Sequence, residues 1–411
     1  MTSPLDTGTG GPAAGPLLGG HQLPARFSAG TRPLAPAPRS PRRRVGLVLG
    51  LVGALGLIAA AGVTQWTANL GYDEAALGVD DALRTVTAQT SQARHATEAL
   101  TRKTDAGHVI LDTGVVPVPV PEEAVAALST AVADGEGVGA AAEEIIAAER
   151  PAPRDKPAWF WELFGATAEL TADEESLTQL AGRLESASED AAVAAHAVEE
   201  SSLAVVTAAG AAAGAFEAAH VSARNESLIA LREAASRASA ASTVDETTAT
   251  MYAALQAAGA QVVATENEEM AEKAGPLQNA RLEIEAFARS LAPGVLLDFD
   301  WATLVNGAGY NGSMGGYTTW WWDSPGRATI QLSNSVAEQW PAGRSRALVA
   351  HEVGHAISVK CQGMYDSSTQ DSIEKWATAW AISMGYTDDA NGVWAYGYPP
   401  QNYIDAAAGC R

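Results

Sequence analysis

The chain is 411 residues long, enough for two or three domains with a real core, and its formal net charge is −22. That acidity argues against nucleic acid as a partner, because phosphate binding needs clustered cations. The composition is rich in alanine and uneven: eight of the eleven tryptophans lie beyond residue 300, and both cysteines, Cys361 and Cys410, fall there too.

Residues 1–44 are rich in Gly, Pro, Ala and Ser, with hardly any large apolar groups. Such a segment buries too little surface to offset its ordering entropy, so a disordered tail is expected. It is basic: Arg26, Arg32, Arg39 and the run Arg42 to Arg44 face a single acid, Asp6. Residues 45–64 follow as an uncharged, proline-free apolar run, with Val45 to Val63 long enough to cross the hydrocarbon core. Ala59 to Ala61 resembles a signal-cleavage site, but the tail is long for a signal peptide and the apolar run exceeds the usual length. An uncleaved signal anchor is expected, single-pass. Arginine before it and Asp73-Glu74 after it place the N-terminus in the cytoplasm and the remainder outside.

Residues 65–290 are dominated by Ala, Glu, Ser, Thr and Leu. Leu170, Leu177, Leu180 and Leu184 recur at helical spacing, as do Leu228, Leu231 and Ala235. The expectation is an alanine-rich helical or coiled-coil extracytoplasmic region, available for self-association or partner binding. Two breaks interrupt it: Val115 to Pro121, read as a polyproline-like linker, and Pro151 to Pro157. Ser242 or Thr243 is expected to start a helix, and Ala274-Gly275-Pro276 to stop one. Trp159, Phe160, Trp161 and Phe164 are expected to plug a core where helices meet, with a membrane-proximal or partner contact as the alternative. His95, His108, His196 and His220 have no partners at ligand spacing and read as surface histidines.

At Leu291 the composition turns to Trp, Tyr, Gly and Asn, with short strand-like runs such as Val295 to Phe299 and Ala328 to Ser333. A small α+β domain over 291–411 is expected, in a chain that is otherwise mostly α. Its chemistry lies in His351-Glu352-Val353-Gly354-His355. Residues four apart on a helix share one face, so His351 and His355 can offer two imidazoles to one Zn²⁺. Glu352, about 100° further round, is placed to take a proton from bound water as general base. Ser345 is the expected N-cap of this helix. A catalytic zinc needs a third protein ligand and an open position. No further histidine remains, and the one glutamate downstream is Glu374, on a predicted helix over 372–384 whose stripe Ile373, Trp376, Ala377, Trp380, Ala381 and Met384 faces the core. Cys361 is an alternative third ligand. With Cys410 outside the membrane it is more simply half of a disulfide. Candidate oxyanion donors are Tyr386, Tyr396, Tyr398 and Tyr403, among which the sequence does not choose.

H-E-x-x-H followed by a glutamate nineteen residues past the second histidine resembles the gluzincin class of zinc metallopeptidases. The resemblance covers only His351 to about Met384. It implies a zincin-like domain in which His351, His355 and Glu374 bind zinc, Glu352 acts as general base and then acid, and a peptide or protein is the substrate. Thermolysin-like members carry an aspartate where this chain has Thr378, and Asp371 is a weak substitute. Zincins also lay substrate along an edge strand, for which 328–333 is the candidate; Tyr317 and Trp320 to Trp322 are expected either to line substrate subsites or to pack in the core. The expected function is a membrane-anchored extracytoplasmic zinc metallopeptidase of a bacterial cell surface. The alternative is a surface interaction protein whose zinc is structural or whose site is inactive. A third option, cleavage of cell-wall peptide crosslinks, would use the same site.

Overall fold

A computed structural model of the protein describes the chain from Arg42 to Arg411. The expected disordered tail lies, up to residue 41, outside the described residues. The chain divides into two units, Met1–Thr67 and Ala68–Arg411. In the first, helix α1 (Arg42–Leu111) begins, and every side chain from Leu49 to Val63 is exposed. The most apolar window of α1 has a mean hydropathy of 1.6 with 0% of it buried, so by length and composition it can cross a membrane. Helix α3 (Phe160–Ala219) passes the same length test at 1.4, but a third of its window is buried. It carries a long row of core residues, as a packed helix of a folded unit does.

The second unit starts as a rod. From Val86 to Thr104 the buried positions of α1 are Val86, Thr90, Ala93, Thr97, Leu100 and Thr104, alternating steps of four and three residues. That spacing is a heptad seam. The threonines survive burial there because Thr90 and Thr97 return their hydroxyls to the carbonyls of Val86 (2.6 Å) and Ala93 (2.9 Å). Helix α2 (Glu122–Ile146) packs back along α1, with Gly107 against Val132 and Gly135 against Leu100 and Thr104. Helix α3 then runs parallel to α1: Ala68, Tyr72 and Ala75 share a cluster with Leu163 and Leu170, and Val86 and Ala93 share the next with Leu177 to Leu184. Helices α4 (Asn225–Ser239) and α5 (Glu246–Glu272) complete this part, Asp245 capping α5 through the Thr248 N–H (2.9 Å).

Two expectations for this region change. The Pro-Val run is no free linker, because Val118 is fully buried and Gln256 binds both its N–H (3.0 Å) and its carbonyl (3.2 Å). Of the expected core plug only Phe160 packs against the buried cluster; Trp159, Trp161 and Phe164 are each more than half exposed, since the buried seam takes Leu163 instead. The helix stop at Ala274 to Pro276 falls as expected, between α5 and α6 (Gln278–Leu291).

Strands β1 (Leu296–Ala302), β2 (Gly316–Trp320) and β3 (Arg327–Ser333) form a sheet in the order β1-β3-β2. β3 pairs parallel with β1 and antiparallel with β2. β3 is therefore the central strand, and the expected edge at 328–333 is instead β2. Five helices follow: α7 (Asn334–Glu338), α8 (Gly343–Ser358), α9 (Gln370–Ser383), α10 (Val393–Tyr396) and α11 (Gln401–Ala407). Their core holds Trp376 and Trp380 with Phe299, Ile330, Val353 and Ile357. It also takes Ile284, Ala288 and Leu291 from α6, so the composition change at Leu291 falls inside one packed unit. Cys361 and Cys410 are joined as a disulfide.

Candidate metal centre

Helix α8 presents His351 and His355 on one face, one turn apart. It starts at Gly343 with Ala342 at the cap; Ser345, the expected cap, lies in the first turn, its hydroxyl bonded to the Ala342 carbonyl (2.9 Å). Helix α9 does have a side-chain cap, Thr369, which accepts from the Ser372 N–H. Trp376 and Trp380 bury one side of α9 completely, which leaves Glu374 facing α8. The two helices approach closely where Gly354 meets Ala377: a Cβ on Gly354 would sit 2.8 Å from the Ala377 carbonyl oxygen.

Three side chains converge across this contact. His351 Nε2 and His355 Nε2 are 3.2 Å apart, and Glu374 Oε2 is 3.2 Å from the first and 3.1 Å from the second. Ligands set tetrahedrally about 2.0–2.1 Å from a zinc ion are about 3.3–3.4 Å from one another, so the triangle has the right size for three of four positions. Among the described residues this is the one group of at least three His, Cys, Asp or Glu that could hold a metal ion.

The surrounding bonds orient the donors toward the centre of the triangle. Thr378 gives its hydroxyl hydrogen to the Glu374 carbonyl (2.9 Å), which leaves its oxygen to accept from His351 Nδ1 (3.3 Å). With a metal ion bound, a proton at Nδ1 would leave the Nε2 lone pair of His351 for the ion. Gln370 Nε2 donates to Glu374 Oε1 (2.7 Å) and leaves Oε2 to the imidazoles. The Trp320 ring stacks on His355 at 5.3 Å, and Tyr396 stacks on His351 at 5.9 Å. Gly392, at φ +107°, lets its loop close on the site; a Cβ there would lie 2.7 Å from the His351 ring. Burial alone would raise the Glu374 carboxyl, but hydrogen bonds and charge from His351 and His355 outweigh it and hold it well below the usual carboxylate range.

Glu352 lies beside the triangle, not in it. Thr318 on β2 donates to its Oε2 (2.7 Å), and Gly316 leaves room for the carboxylate where a Cβ would collide with it. Burial pushes this carboxyl up to about 7, against the opposing pull of His351 and the Thr318 hydroxyl. Such a group can both accept and return a proton near neutrality.

The four tyrosines separate. Tyr396 lies at the site, its phenol pushed up to about 12 by burial and then by Glu374 and Glu352. Tyr403 is engaged elsewhere, bonded to Ser372 Oγ (2.7 Å), and Tyr386 packs edge-on against Phe287. Tyr398 is largely exposed. Asp371 is no substitute orienter: it pairs with Lys375 (2.8 Å) at the surface. Cys361 is in the disulfide and is no ligand. Trp320 reaches the site, whereas Trp321 lies under Arg327 at 4.5 Å. Thr318, Gly316, Gln370, Gly354 and Gly392 were not anticipated; Gly354, inside the H-E-V-G-H run itself, is the one whose sequence position held a hint. Compared with protein-family models, with curated proteins and with solved structures, the chain matches none.

Proposed function

We propose that this protein is a single-pass membrane protein whose C-terminal part is an extracytoplasmic zinc metallopeptidase of gluzincin type. The reading is carried by the meeting of His351, His355 and Glu374 within 3.2 Å of one another, with the Glu352 carboxylate alongside. An anchor at 45–64 with arginines before it puts the N-terminus in the cytoplasm. The Cys361–Cys410 disulfide agrees with an oxidising compartment for the remainder.

When bound, zinc would supply Lewis acidity to a water and to a peptide carbonyl. Glu352 accepts the water proton and returns it to the departing amine, with Thr318 holding one of its oxygens in place. Tyr396 donates from its hydroxyl to the oxygen that gains charge. Gly316 and Thr318 put Glu352 next to the free edge of β2, where an extended peptide can add as a further strand.

A second reading has one observation in its favour. His351, Glu352, His355 and Glu374 are each only 4–8% exposed, as the members of a structural site fastening α8 to α9 would be. The full chain in detergent, assayed for zinc content and for cleavage of an unfolded protein, separates the two. The peptidase reading expects about one zinc per chain and chelator-sensitive cleavage. It also expects Glu352→Gln to keep its zinc while losing at least about 10²–10⁴-fold in rate. Zinc retained by a wild-type chain that cleaves nothing would establish the structural role instead.

A further inference from the structure

The aromatic tip of α3 has no place in the peptidase chemistry. Trp159, Trp161 and Phe164 are each more than half exposed, and the two indoles stack on each other at 5.1 Å. Elsewhere on the rod the exposed large apolar side chains are aliphatic: Val125, Val193 and Val221 stand singly, and Val115 and Val116 form a small pair. Three aromatic rings within six residues are a patch, and patches of this kind mark contacts.

The patch is also fixed in place. Leu163, one residue from Phe164, is fully buried in a cluster with Ala68, Tyr72 and Ala75 of α1. Just ahead of α3, Lys156 bonds Asp73 (2.7 Å) and lies over the Tyr72 ring at 5.4 Å. The tip is thus tied to α1 at residues 68–75, and the last residue of the apolar run is Val63. Five residues of chain reach at most about 18 Å, whatever direction they take. Because α3 runs parallel to α1, it is the start of α3, and not its end, that is held this near to the end of the span.

We infer that Trp159, Trp161 and Phe164 form a contact with the surface of the same bilayer that holds residues 45–63. The chemistry selects this occupant. Indole rings with an apolar body and an N–H favour the headgroup layer, where one side is apolar and the other wet. Glu162 within the patch and Asp73-Glu74 beside it on α1 disfavour attraction by anionic lipid, so the contact depends on the rings and tolerates salt. The inference takes from the proposed function only the membrane span, and is independent of the zinc chemistry.

Both native cysteines are in the disulfide, so single added cysteines can carry an environment-sensitive dye on the full chain. Gly165→Cys places the dye at the tip, where a Cβ meets no atom within 4 Å. Leu57→Cys reports the span, and Val193→Cys reports the rod far from the tip. Each chain is reconstituted into phosphatidylcholine vesicles, with and without a lipid whose quencher sits near the headgroup. The expected result is quenching at 57 and at 165, none at 193, and no change in 1 M NaCl. In the Trp159→Ser, Trp161→Ser, Phe164→Ser background, quenching at 165 should fall several-fold. Quenching at 57 without quenching at 165 overturns the surface contact and leaves the anchor standing. No quenching at 57 removes the span and the contact together.

Discussion

At the scale of single residues, the candidate metal site depends on which nitrogen of His351 carries a proton. Thr378 settles this through its position one turn after Glu374 on α9, which binds its hydroxyl hydrogen to the Glu374 carbonyl. Only its oxygen then faces His351 Nδ1. Thr378→Val keeps the shape and removes the acceptor. Zinc affinity should fall about 10–100-fold, as for other partners of ligand histidines. Competition with a chromogenic chelator measures it, and Thr378→Ser, which restores the hydroxyl, should recover most of the loss. An unchanged affinity in Thr378→Val would show that the neutral hydroxyl is no substitute for the aspartate of thermolysin-like enzymes. Glu352, by contrast, is set by its surroundings on β2, and in the proposed peptidase its raised carboxyl would serve the proton transfer.

Among the elements, the crossing of α8 and α9 decides whether the three candidate ligands can meet. Gly354 faces the Ala377 backbone, so α9 approaches to within a distance that any side chain would prevent. Gly354→Ala should part the helices, cost roughly 1–3 kcal/mol by overpacking, and weaken zinc binding more than it weakens the fold. Thermal unfolding with and without zinc checks this, since a smaller zinc-induced rise in Tm than in wild type reports the lost geometry. This crossing also shows what the sequence could convey. His351, Glu352 and His355 were legible because helical spacing is local, and Glu374 because no other glutamate follows. The partners from β2 were not: Thr318 and Gly316 reach Glu352 only after β2 pairs antiparallel with β3, a long-range register that no local pattern encodes. Heptad spacing made the rod's helices readable, yet the same reading put Trp159 and Trp161 inside. Aromatic residues look alike in sequence whether they fill a core or face outward, and Leu163, two residues after Trp161, took the buried position.

Across the whole molecule, the rod and the sheet are joined by a partly buried network of charge. Arg224, in the turn before α4, pairs with Glu269, with Glu272 (3.6 Å) and with Asp300 (2.8 Å). Lys273 bonds Glu269 (2.8 Å) and Glu285 (3.4 Å), and Arg289 meets Glu285 (3.4 Å). With Asp298 on β1, which accepts the Asn225 N–H (2.7 Å), five acids face three bases. Burial pushes the Asp298 carboxyl up to about 6 from 3.8. The Asn225 N–H and Arg224 oppose the rise, and Glu269 and Asp300 add to it. An acid whose folded value is raised binds a proton that the unfolded chain has already released between about pH 4 and 6. Its contribution to stability is therefore fully present below the unfolded value and is lost as pH rises through about 6. Ionised Asp298 then costs the joint on the order of 1 kcal/mol once solvent screening is allowed for. Asp298→Asn keeps an oxygen for the Asn225 N–H and removes the charge. The detergent-solubilised full chain carrying it should equal wild type near pH 4 and unfold at a higher temperature at pH 7.5. A variant that loses stability at pH 7.5 would mean that the Arg224 attraction outweighs burial, and that the ionised carboxylate holds the rod to the sheet.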